Sequence, residues 1–161
     1  MSQEAAAAGL AYAATTGSRG SSQPYASCPV TLPNHAPESP LGPSRKWGYR
    51  QGQISVELSP FGVTLVNKRD LTADGSFPVK VGWYRYGRGR LRITATRIDK
   101  PGHVNRTSVP AGYGRTGFQA SGIDFPSEGC WKVTATVGHS HLTYVTVVLG
   151  VFTIQGRVLE F

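Results

Sequence analysis

The chain is short of sulfur, of acids and of long apolar runs, and each shortage excludes something. No apolar stretch approaches the roughly 18 to 20 residues of a membrane-spanning helix. Apolar residues make up 39% of the 161 positions, while 20 glycines and 11 prolines interrupt them. That composition argues against a helical bundle and for short strands separated by turns. Its length allows one ordinary domain and a tail. Only Cys28 and Cys130 carry thiols, too few for a cysteine-based metal centre. Nine acids face 17 Lys and Arg, giving a formal net charge of +8.

Two lone cysteines far apart in a Gly/Pro-rich β chain are expected to form one long-loop disulfide in an oxidising compartment. The alternative is two unpaired thiols, one buried and one in a loose tail. Residues 1–27 read as a disordered leader or a truncated signal segment. The run from Ala5 to Ala14 has the core of a secretory signal but lacks its positive start. Residues 28–50 hold Pro29, Pro33, Pro37, Pro40 and Pro43, which exclude a helix and a central strand. An extended strap is expected there, with a β-sandwich domain over 51–150. Residues 151–161 would form an edge strand or an extension.

Within the domain the period is two. Ile54, Val56 and Leu58 alternate with polar neighbours, and Ser59-Pro60-Phe61-Gly62 then turns the chain toward Val63–Val66, which predicts a hairpin. Val79, Val81 and Trp83 alternate, as do Leu91, Ile93 and Ala95 against Arg90, Arg92, Thr94 and Thr96. Residues 99–121 read as a long Gly-rich segment with a short strand near Thr107–Val109. Trp131 to Val137 and His141 to Leu149 form a second hairpin around Gly138-His139-Ser140, its last strand apolar on both faces and therefore well covered. Gly129-Cys130-Trp131 has the spacing of a strand entry in immunoglobulin-like domains. The Trp131 N–H should then find a carbonyl in the preceding loop. The expected fold is an all-β, immunoglobulin-like antiparallel β-sandwich with a disordered N-terminal leader.

Several motifs extend this reading: CPVTLPN at 28–34, LRITATRID at 91–99, GYGRTGFQAS at 112–121, FPSEGCWKVTATVG at 125–138 and LTYV at 142–145. On these the chain resembles a family of uncharacterised, mostly bacterial, exported β-sandwich proteins and lipoproteins. The resemblance implies an exported sandwich with no established activity, and it supplies no site residues. Lys132 stands where that family usually has an acid, which makes this surface more basic.

Candidate chemistry centres on a basic stripe. Between Lys80 and Arg115 lie nine cations and one acid, Asp99. Arg88, Arg90 and Arg92, with Tyr84, Tyr86 and Tyr113 nearby in sequence, are the expected contact residues. Clustered cations concentrate anions, and tyrosines beside arginines add stacking. The expected partner is an anionic polysaccharide or a cell-envelope surface. Nucleic acid ranks below both, because an exported protein rarely meets it. The plainer reading of the same residues is a solvated face that keeps the protein soluble and blocks edge pairing. No Gly-x-Ser-x-Gly, phosphate-cradling loop or metal-ligand set is present, so neither cofactor nor metal is expected. The expected function is a non-enzymatic binding module outside the cell or at its envelope. The alternative is a small glycan-active protein or other hydrolase using Asp124, Glu128 or the His139/His141 pair.

Overall fold

In a computed structural model, two β-sheets pack face to face, with residues 25–34, 45–154 and 157–159 described. The strands are β1 (Gly48–Gln51), β2 (Ile54–Glu57), β3 (Val63–Asn67), β4 (Phe77–Arg85) and β5 (Arg92–Arg97), followed by β6 (Arg106–Ser108), β7 (Gly117–Phe125), β8 (Gly129–Val137), β9 (Ser140–Ile154) and β10 (Arg157–Leu159). The first sheet runs β1-β2-β4-β7-β6 and the second β10-β9-β8-β5, with β3 joined to β9. All pairings are antiparallel except β3 on β9. Taken in chain order, β2, β4, β5, β6, β7, β8 and β9 occupy the places of immunoglobulin strands A to G, with A, B, E and D in one sheet and C, F and G in the other.

Alternation makes the core. Ile54 and Val56, Val81 and Trp83, and Ile123 and Phe125 face inward from the first sheet. Ile93, Ala95, Trp131, Val133, Leu142, Tyr144 and Val148 meet them from the second. Both core tryptophans have partners for their N–H. Trp83 Nε1 donates to Ser121 Oγ at 2.9 Å, and Trp131 Nε1 donates to the Ser127 carbonyl at 3.1 Å, in the loop just ahead of its strand. Phe125 meets Trp131 edge-on, with ring centroids 5.3 Å apart.

Cys28 and Cys130 are joined, closing a separation of 102 residues. From that anchor the strap crosses the seam between the sheets. Thr31 N donates to the Val145 carbonyl (3.0 Å), and Val145 N donates to Thr31 Oγ1 (2.8 Å). Asn34 then pairs with β1: its N donates to the Gly48 carbonyl, its Nδ2 to the Arg50 carbonyl, and its Oδ1 accepts from Arg50 N. The leader up to residue 24 and strap residues 35–44 lie outside the described residues.

Two sequence expectations need correction. Residues 53–66 form no hairpin: β2 pairs with β1 and β4, and β3 lies in the other sheet, parallel to β9. Phe61 (φ 56°) and Gly62 (φ 72°) both adopt the left-handed region, so the chain changes sheets there. Val30 of the strap seats directly on Gly62, 2.4 Å from where a Cβ would stand. The second correction concerns 99–121. Gly117 to Ser121 begin β7, a nine-residue strand between β4 and β6. Its inward positions start with Gln119 and Ser121, polar residues that hide the period. Strand β1 also begins within the span read as strap, at Gly48.

Candidate functional site

Three loops meet at one end of the sandwich: 86–91 between β4 and β5, 109–116 between β6 and β7, and the tight turn between β8 and β9. Arg85, the last residue of β4, ties two of them together. It points inward, in phase with Val81 and Trp83, and is 4% exposed. Its Nη1 donates to the Gly89 carbonyl at 3.2 Å and its Nη2 to the Gly114 carbonyl at 2.5 Å. Burial lowers the affinity of Arg85 for its proton. Gly89 also packs on the third loop, where a Cβ would sit 2.6 Å from the Gly138 nitrogen.

The tyrosines converge. Tyr84 and Tyr86 project from the outer face of the first sheet with centroids 4.8 Å apart. Phe118 is the cross-strand partner of Tyr84, and Tyr113 meets Phe118 edge-on at 5.9 Å. The Arg50 guanidinium lies 3.9 Å over the Tyr86 ring. Tyr113, Phe118, Tyr84 and Tyr86 thus form a strip from the loop end onto the sheet, closed by a cation. Phe118 and Arg50 were missed in the sequence. Phe118 falls in the span whose sequence reads as a Gly-rich segment, and Arg50 lies outside the cation run from Lys80 to Arg115.

The arginines divide. Arg88 and Arg90 are exposed in the 86–91 loop. Arg90 and Arg92 line one cleft of about 190 Å³ with Gly89, Thr136 and Gly138. Arg92 opens β5 on the outer face of the second sheet, opposite the tyrosines. In the described parts of β5, β8 and β9 that face carries Arg92, Lys132 and His141 among threonines, with Val145, Val147 and Leu149 further along β9, and no carboxylate. Arg88, Arg90, Arg92, Arg115 and Lys132 enter none of the salt bridges among the described residues.

The rest of the stripe is not a stripe. Arg97 is buried against Trp131, its Nε and Nη2 held by the two oxygens of Asp99 at 2.6 and 2.8 Å and its Nη1 by Ser127 Oγ. Arg106 bridges Asp74 and Asp124. Alternation carried the signal for the buried pair: Arg85 shares its parity with Trp83, and Arg97 with Ile93 and Ala95.

The residues named for hydrolysis are dispersed. Asp124 is held by Arg106. Glu128 accepts from Gly150 N and faces Lys68. Glu128 precedes β8 whereas His139 follows it, and nine extended residues separate them by roughly 30 Å. Among the described residues no three of His, Cys, Asp and Glu are grouped to hold a metal. A cleft of about 640 Å³ lies between β3 and β4. It is lined mainly by Phe61, Val63, Leu65, Val66, Pro78 and Val79, and its charged groups, Asp70 and Lys80, are one of each sign.

No protein-family model matches the chain, and none of the curated proteins compared with it shows a significant match.

Proposed function

We propose that this chain is an exported, non-enzymatic binding module that engages an anionic polysaccharide or envelope surface through the three-loop end of its sandwich. The aromatic strip is the observation that carries the reading. A pyranose ring presents a face of C–H bonds, which packs on the negative face of an aromatic ring. Four rings in sequence, with Arg50 at one end and Arg88 and Arg115 in the adjoining loops, suit a sugar chain bearing acid groups. The cleft between Arg90 and Arg92 offers a second contact around the rim. The disulfide supports export, because such bonds persist in oxidising compartments. No helix among the described residues is long and apolar enough to cross a membrane. Membership of the exported family whose motifs the chain resembles belongs to the same proposal.

Immobilised dextran sulfate and heparin test it. Wild-type protein should be retained near physiological salt and released as ionic strength rises. Changing Arg88, Arg90 and Arg92 together to Ala should abolish retention at that salt. Tyr84→Ala should weaken affinity for heparin about tenfold, the scale of one lost stacking contact. Failure of the wild type to bind either polymer would overturn the reading.

A further inference from the structure

Arg85 and Gln119 form a buried polar pair beneath the 109–116 loop, and two of their atoms have no partner among the described residues: Arg85 Nε and Gln119 Oε1. Gln119 is 7% exposed. It lies directly opposite Trp83 across the β4–β7 ladder, and Arg85 opposite Gly117, so the two side chains are diagonal neighbours on the inward face. Gln119 Nε2 donates to the Pro110 carbonyl at 3.2 Å, which fixes the amide's orientation and leaves Oε1 as the acceptor.

The other buried arginine supplies an internal comparison. On Arg97 the Nε–Nη2 edge is filled by a carboxylate, each nitrogen meeting one oxygen of Asp99. On Arg85 the same edge meets one carbonyl, that of Gly114 on Nη2, and nothing meets Nε. No carboxylate pairs with Arg85 among the described residues. A buried guanidinium is ordinarily compensated by an anion, and its fork matches the two oxygens of a carboxylate. The Gly114 carbonyl that stands on the fork belongs to a loop exposed from Pro110 through Thr116.

We propose that Arg85 and Gln119 read one hexuronate unit of the bound polysaccharide, the carboxylate taking the Nε–Nη2 edge in place of the Gly114 carbonyl and a sugar hydroxyl donating to Gln119 Oε1. A carboxylate alone answers Arg85 but offers Gln119 no proton, and a neutral sugar answers Gln119 but not the charge. A uronate carries both groups on one ring. This rests on the polysaccharide reading and narrows it from anionic chains in general to carboxylated ones.

The test needs no variant to begin. Trigalacturonate, which bears carboxylates and no sulfate, is titrated into ¹⁵N-labelled wild-type protein while the Arg85 and Arg97 Nε–Hε resonances are followed. The Arg85 resonance should shift saturably and the Arg97 resonance should stay in place. Gln119→Leu should weaken trigalacturonate binding about tenfold, the cost of one hydrogen bond in a charged site. An Arg85 resonance unmoved by trigalacturonate, in protein that still binds dextran sulfate, overturns this inference alone. It would leave the pair as a brace for the loops. Protein that binds neither dextran sulfate nor heparin overturns the underlying reading as well.

Discussion

Asp99 and Asp74 both tie the stability of the fold to pH. The bidentate hydrogen bonds from Arg97 hold the Asp99 carboxyl below the usual carboxylate range. Asp74 is lowered too, chiefly by the hydrogen bond from Thr72 and then those from Ser76. Both groups bind a proton more readily in the unfolded chain, near pH 4. The ionised folded form is therefore favoured above that pH, and the advantage is lost as pH falls through the lower folded values. Urea midpoints measured from pH 7 to pH 2 should hold steady and then drop. Asp99→Asn should lower the neutral midpoint and flatten the acid limb, whereas an acid limb matching wild type would refute the assignment. Asp99→Ala should cost about 3 kcal/mol, the low end for stranding a buried partner, because Asp99 itself is part-exposed. In the sequence Arg97 and Arg85 count as part of the basic stripe, although extending strand parity from Ala95 and Trp83 would have turned both inward. A run of cations in one sequence window nevertheless reads as one surface until each residue is assigned a face.

At the level of elements, the strap is the most testable unit. Its anchor closes 102 residues. The chain-entropy account assigns a loop of that size about 4 to 5 kcal/mol, with measured values often lower. Cys28→Ser should lower stability by up to that amount. It should also speed hydrogen exchange at the Thr31 amide, which bonds β9, far more than at amides in the β4–β7 ladder. Equal acceleration everywhere would mean that the strap is not a separate cooperative unit. The β8–β9 hairpin was legible because Trp131, Val133, Ala135 and Val137 alternate without a break across a short turn. Strand β7 was not, because glycines and inward polar side chains removed its contrast. The parallel β3–β9 pairing was invisible for another reason: its partners lie more than 80 positions apart, and a turn of Phe61 and Gly62 sends the chain across rather than back. For the site, the tyrosines and rim arginines were legible as residue types. Their division between opposite faces follows from register, which pattern alone does not supply.

Across the whole molecule, one flank of β9 is occupied in turn by segments from distant parts of the chain. Gln51 Oε1 accepts from Thr143 N, Thr31 bonds Val145, and β3 runs beside Val147 to Val151. These contacts span 92 and 114 positions for the two side-chain bonds. None can form until long stretches of chain have already been brought together, and loop closure of that kind slows the search for the native state. Refolding from denaturant with the disulfide reduced, so that no crosslink closes these loops beforehand, should therefore take milliseconds to seconds in stopped-flow fluorescence of the core tryptophans, rather than microseconds. The same arrangement covers this flank of β9 at Thr143 N, at Val145 and from Val147 to Val151, where a neighbouring molecule would otherwise zip on. A slow assembler of this kind is guarded along this flank once complete, and most vulnerable there while the flank is still waiting for its cover.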